Sequence, residues 1–90
     1  MARVLMYGTA SCPYCRSAER LLERKGVHDV KRVRVDLDPA RRAEMMQKSG
    51  RRTVPQIWIG ALHVGGCDDL YALDEAGELD ALLEIAAALS

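Results

Sequence analysis

The chain has no net charge: across its 90 residues, 13 Lys and Arg balance 13 Asp and Glu. A general nucleic-acid binder needs surplus cations to displace counterions from phosphates, so no nucleic-acid partner is expected. No apolar run approaches the roughly 20 residues that span a bilayer, so no membrane partner is expected either. The opening Met1-Ala2-Arg3-Val4-Leu5-Met6-Tyr7-Gly8 is too short and too soon interrupted to read as a secretory signal. Repeats, linkers and low-complexity tracts are lacking. Cysteine is scarce and odd in number: Cys12, Cys15 and Cys67 do not make the paired framework of a small secreted domain. What remains reads as an ordinary globule, 49% hydrophobic and 29% charged, expected in the cytoplasm as a monomer with one domain over residues 1–90.

Arg3 to Tyr7 contains the continuous apolar stretch Val4-Leu5-Met6-Tyr7, which suits a strand buried on both faces. After the loop Gly8-Thr9-Ala10-Ser11, a helical pattern runs to Lys25, with Cys12 at its N-cap and Pro13 at the first helical position. Tyr14, Ala18, Leu21 and Leu22 fall on one face of it, and Gly26 is a suitable stop. Lys31 to Leu37 alternates, with Val33, Val35 and Leu37 against Arg32, Arg34 and Asp36, as an edge strand does. Asp38-Pro39 opens a second helix that carries Ala43 and Met46 inward and ends at Gly50. Gln56–Ile59 and Leu62–Gly65 flank Gly60-Ala61 as a tight hairpin with a type II′ turn. Helices follow from Asp68 to about Asp74 and from near Glu78 to Leu89, the last with Leu79, Leu82, Leu83 and Ala86 on one face. The order is β-α-β-α-β-β-α-α. It predicts an α/β fold with a mixed sheet, an antiparallel edge and helices on both faces.

Cys12-Pro13-Tyr14-Cys15 sits where a strand gives way to a helix. The thiolate is the reactive form of cysteine, and a helix N-terminus offers it unpaired N–H donors and the positive end of the macrodipole. Cys12 occupies that place, and Pro13 stiffens the turn. Three-residue spacing on a first helical turn brings the two sulfurs towards disulfide distance. Cys12 is therefore expected to attack, and Cys15, the less exposed thiol, to resolve the mixed disulfide. Two other readings stand beside this one: a pair of buried small residues, or a Cys₃His zinc site completed by Cys67 and His63. The inward-facing Cys15 argues against zinc, and no metal is expected. His28 and His63 read as surface or packing residues.

Two further loops carry signals. Pro55 in Thr53-Val54-Pro55 belongs at a strand start, since it cannot donate to a ladder. The bare residues favour an ordinary trans bond there. With Val54 extended, its backbone groups are placed to pair with a passing peptide. Gly65-Gly66-Cys67-Asp68-Asp69 is a glycine turn opening a helix, whose free amides suit an anion and whose Asp68 suits an adjacent ammonium. A ligand with an α-amino-acid end satisfies both. Asp69 reads as a first-turn helix acid.

Taken together, Cys12-Pro13-Tyr14-Cys15, Thr53-Val54-Pro55-Gln56-Ile57 and Gly65-Gly66-Cys67-Asp68-Asp69-Leu70 resemble the glutaredoxins. The likeness is to the bacterial glutaredoxin 3 type, across nearly the whole chain. The resemblance implies the thioredoxin fold. It also implies glutathione-dependent reduction of protein disulfides and of glutathione–protein mixed disulfides. Glutathione is then the reducing co-substrate, and disulfide-containing or glutathionylated proteins are the partners. By the same resemblance Cys12 is the nucleophile and Cys15 the resolving thiol. Tyr14 flanks the glutathione cysteine, Val54 pairs with its backbone, and Pro55 is cis. Gly66, Cys67 and Asp68 hold the γ-glutamyl end, Thr53 belongs to the same wall, and Arg42 meets the glycine carboxylate. One departure is Thr9, where family members often carry Lys; Arg42, Arg16 or Arg52 are the candidates to replace that cation. A thioredoxin served by a flavoprotein reductase and a cluster-bridging dimer are the competing readings.

Overall fold

The computed structural model describes residues 3–89. Its elements are β1 (Val4–Gly8), α1 (Pro13–Arg24), β2 (Val30–Arg34), α2 (Pro39–Ser49), β3 (Gln56–Ile59), β4 (Leu62–Gly65), α3 (Cys67–Glu75) and α4 (Leu79–Leu89). The sheet order is β2-β1-β3-β4. β1 and β2 pair in parallel, Val4 opposite Val30 through Gly8 opposite Arg34. β3 runs antiparallel to both β1 and β4. This is the thioredoxin fold, with the element order that the sequence predicts.

Side chains alternate across the central strands, so each strand feeds two cores. Val4, Met6, Ile57 and Ile59 face one way and meet Ala18, Leu21 and Leu22 of α1, Cys67 and Leu70 of α3, and Leu79, Leu83 and Ala86 of α4. Tyr7 and Trp58 face the other way and meet Met45 of α2 and Val35, with Leu5, Val33 and Val54 at the margin. Helices therefore cover both faces, and β1 lies inside both layers.

Local signals set the helix starts. Cys12 caps α1 with Pro13 behind it, and Asp38 caps α2 by accepting the Ala40 N–H at 2.9 Å. In the β3–β4 turn Gly60 has φ +59°, and among the described residues no non-glycine residue has positive φ, as a II′ turn requires of Gly60-Ala61. A register shift opposite Ile57 and Trp58 puts Val64 out of step, so that Gly65 faces Ile57 and the chain turns sharply into α3.

Four details differ from the sequence expectation. Tyr14 does not join the buried face of α1; it is 63% exposed, and Cys15 takes the inward place with Ala18, Leu21 and Leu22. Ala43 and Met46 are exposed, and the inward stripe of α2 is half-buried Arg42, buried Met45 and half-buried Ser49. That stripe has one large apolar residue, too few for periodicity to fix the phase. The second strand spans 30–34, not 31–37, because the Val35 N–H closes the ladder on the Gly8 carbonyl at 3.0 Å and the chain then bends towards the Asp38 cap. Leu37 is consequently exposed.

Candidate active site

Cys12 stands at the N-cap of α1 in extended backbone, φ −92° and ψ 110°. Its Sγ accepts the Cys15 N–H at 3.2 Å, one of the donors a helix start leaves without an intrahelical partner. No acidic residue occupies the first turn of α1 to compete for those donors. The Val54 carbonyl oxygen lies 3.8 Å from the same sulfur. Cys12 is 9% exposed and Cys15 4%, the order expected from their depths in the helix.

Cys15 lives in a different environment three residues on. Burial above all pushes its thiol up to about 12; its hydrogen bond with Cys12 acts in the same direction, and the charges of Cys12 and Glu19 add to it. A backbone hydrogen bond from Thr9 pulls the other way. Cys15 is thus a protonated thiol at neutral pH. Its seat exists because residue 8 is glycine: a Cβ there would stand 2.9 Å from the Cys15 sulfur.

Facing Cys12 is the segment Thr53-Val54-Pro55, with the Val54–Pro55 bond cis. Behind it lies Gln56, fully buried yet polar. Its Nε2 donates to the Thr53 carbonyl at 3.0 Å and reaches Thr53 Oγ1 at 3.3 Å, while its Oε1 lies 2.9 Å from His63 Nε2. Burial, then the Arg51 cation, lower the His63 pKa against the opposing charge of Asp69, so the neutral ring donates from Nε2 to Gln56. The ring also stacks on Trp58 at 4.6 Å. One side-chain amide therefore ties the loop beside Cys12 to β4.

The third component is the corner before α3. Gly65 has φ +113°, and a Cβ on it would come within 2.4 Å of Asp69 Oδ2. That oxygen accepts both the Gly66 N–H and Arg51 Nη1, each at 2.9 Å. Asp69 is accordingly a helix-capping acid, and the Gly66 amide is already engaged. The N–H groups of Cys67 and Asp68 are the first two of α3, ahead of the first intrahelical bond from Leu70 to Gly66. Cys67 is buried, and its thiol is pushed up by that burial and by the Asp68 charge.

A surface hollow brings Tyr14, Arg52, Thr53, Val54, Cys67 and Asp68 together. Gly66 backs it, close to the Pro55 carbonyl. Arg42 lies outside it, donating to the Arg52 carbonyl at 3.4 Å; Arg52 is the arginine on the rim. Thr9 puts no cation at position 9 itself, and Arg16, one turn into α1, lines the same cleft as Thr9. Among the described residues Cys12, Cys15, Cys67 and His63 do not gather into a metal-holding group, and no helix is long and apolar enough to cross a membrane. Two residues escape sequence reasoning. Gly8 passes for a loop residue, and Gln56 had one visible clue, an amide opening the apolar run Ile57-Trp58-Ile59.

The family model described as Glutaredoxin matches residues 4–64. The glutaredoxin of Pseudomonas aeruginosa is 59% identical over 83 residues, covering 92% of this chain and 98% of the relative. Glutaredoxin 3 of Escherichia coli is 54% identical over 84 residues, covering 93% and 100%. Among solved structures, the glutaredoxin of Brucella melitensis superposes with a TM-score of 0.79 at 52% identity, covering 92% of this chain and 89% of that one. A buckwheat glutaredoxin in complex with glutathione superposes at 0.88 and 28% identity, covering 96% and 80%.

Proposed function

Because the chain belongs to the glutaredoxin family, and within it to the bacterial glutaredoxin 3 type, a group of thiol–disulfide oxidoreductases, we propose that it is a glutathione-dependent enzyme. On this reading it reduces protein disulfides and glutathione–protein mixed disulfides in the cytoplasm, where glutathione holds thiols reduced. The observation that carries the reading is the placement of Cys12 Sγ at the mouth of α1, 3.2 Å from the Cys15 N–H and 3.8 Å from the Val54 carbonyl, beside the hollow.

The mechanism follows from the two cysteines' surroundings. Cys12 thiolate, held by helix-start N–H groups, attacks the glutathione sulfur of a mixed disulfide. An S–S bond forms between Cys12 and glutathione, and the protein thiolate leaves. Glutathione then lies in the hollow: Val54 backbone groups pair with its cysteine, Tyr14 flanks it, and Thr53 walls it. The Cys67 and Asp68 N–H groups take the γ-glutamyl carboxylate, with the Asp68 side chain near the ammonium. Gly66 contributes the turn that aims these amides, its own N–H being held by Asp69. Arg52 stands for the glycine carboxylate, its backbone steadied by Arg42. A second glutathione thiolate releases Cys12. For a protein disulfide, Cys15 instead attacks Cys12, closing an intramolecular disulfide and expelling the reduced protein. Two of the influences that keep the proton on Cys15, the hydrogen bond with Cys12 and the Cys12 charge, vanish once Cys12 is in a neutral disulfide.

Cys12→Ser should abolish turnover of a glutathionylated peptide. Cys15→Ser should keep that reaction, which needs one thiol, and lose reduction of a protein disulfide. An active Cys12→Ser enzyme, or turnover with a thioredoxin reductase in place of glutathione, would overturn the proposal.

A further inference from the structure

A second cleft opens behind Cys15, on the side away from the hollow. It is lined by Gly8, Thr9, Cys15, Glu19, Arg32 and Arg34, among others, between the start of α1 and strand β2. Its volume of about 250 Å³ has room for several waters. Cys15 and Glu19 are four residues apart on one helix, so their side chains are neighbours along the same edge. The Glu19 carboxylate is held there by Arg32, Oε1 to Nε at 2.7 Å, and is only partly exposed. Cys15 is nearly sealed from bulk water, yet a resolving thiol must lose a proton before it attacks.

We propose that this cleft is the exit path for the Cys15 proton, with Glu19 receiving it through water as Cys15 attacks Cys12. The inference rests on Cys15 being the resolving thiol. The step balances as follows. The Cys15 S–H proton passes by way of water to Glu19. The freed sulfur electron pair forms the Cys15–Cys12 bond, and the Cys12–glutathione S–S bond breaks. Glutathione leaves as a thiolate that takes a proton from solvent, and Glu19 returns its proton to the cleft water. Cys15 and Cys12 end oxidised, and the glutathione sulfur ends reduced.

The charged groups around the path support the assignment. From α1, Arg16 lines the cleft; from β2, Arg32 is paired with Glu19, and Arg34 is occupied by Asp36 at 2.8 and 2.6 Å. On the α3 side the protonated Cys67 thiol stands by Cys12. Glu19 is therefore the one carboxylate among the described residues lining the cleft.

The sign of one measurement decides the matter. Reduced enzyme is mixed with oxidised glutathione, quenched in acid, and scored by mass spectrometry for decay of the Cys12 mixed disulfide into the Cys12–Cys15 disulfide across a pH series. If Glu19 acts only through its charge, Glu19→Gln makes Cys15 easier to deprotonate and resolution is faster. If Glu19 takes the proton, resolution slows about tenfold or more near neutrality, within the span of general-base contributions, and the deficit closes at alkaline pH where hydroxide substitutes. Arg32→Gln breaks the ion pair but keeps the carboxylate, and is expected to resolve faster than Glu19→Gln. A Glu19→Gln enzyme that resolves at or above the wild-type rate, or an Arg32→Gln enzyme equally slowed, overturns the inference. Failure of wild type to form the Cys12–Cys15 disulfide overturns instead the reading on which it rests.

Discussion

Gly8 and Cys15 are in direct contact across the junction of β1 and α1: a methyl group on residue 8 would stand 2.9 Å from the Cys15 sulfur. The sulfur is buried, so something in its seat must shift to admit the methyl group. Gly8→Ala should therefore destabilise the reduced protein by about 1–3 kcal/mol, the usual cost of overpacking. In a Cys15→Ala background the same change should cost much less. Urea unfolding of the four proteins in this cycle measures the coupling, and equal costs in both backgrounds would rule the contact out as the cause.

Alkaline pH should weaken the reduced protein. Burial holds the Cys15 thiol at about 12, above the ordinary cysteine value near 8.5. A group whose folded pKa is raised contributes stability that is complete below its unfolded value and is lost as pH climbs through the folded one. The loss should run from about pH 9 to about pH 12. Tyr7, also raised to about 12 by burial and by its hydrogen bond to Glu44, should add to it. Cys15→Ala should shed the cysteine share, so its stability should fall less between mildly and strongly alkaline urea melts. Parallel falls in both proteins would refute this.

Gln56 should matter for substrate affinity more than for turnover. Its amide holds the Thr53 carbonyl and accepts from His63, so Gln56→Leu strands two partners at once. Leaving buried polar groups unsatisfied costs about 1–3 kcal/mol of stability. The loosened Thr53-Val54 segment should raise KM for a glutathionylated peptide about tenfold, equivalent to ~1.4 kcal/mol, with kcat little altered. Steady-state kinetics with an unchanged KM would count against the role.

Asp68 is exposed, which limits what its charge is worth. An exposed ion pair contributes about 0.2–1 kcal/mol. Asp68→Asn should accordingly raise KM for glutathione only about two- to fivefold, and salt should narrow the gap between mutant and wild type. A loss of several hundredfold would mean that Asp68 does more than attract an ammonium.

Local chemistry made much of this molecule legible from its residues. Cys12-Pro13 and Asp38-Pro39 announce their helices because capping needs only adjacent residues. The apolar run from Val4 to Tyr7 marks a strand inside two layers. The glycine turn before Cys67 and its capping acid Asp69 are equally local. What depends on distant partners was hidden. Gln56 gains its meaning from Thr53 and His63 together, and Gly8 from a sulfur seven residues on. Arg52 rather than Arg42 reaches the rim because α2 turns Arg42 back onto the chain. The phase of α2 was ambiguous because Met45 and Met46 are adjacent and chemically alike.

The two walls of the hollow are joined by Asp69, which grips Gly66 on one side and Arg51, next to Arg52 and Thr53, on the other. As an exposed pair this link is worth little to global stability, about 0–1 kcal/mol. Its consequence is kinetic and entropic. On the proposed reading, a flexible tripeptide docking here meets walls already tied together, which should lower the ordering cost on the receptor's side. Capture should then be set by encounter frequency, with no slow rearrangement of the receptor gating it.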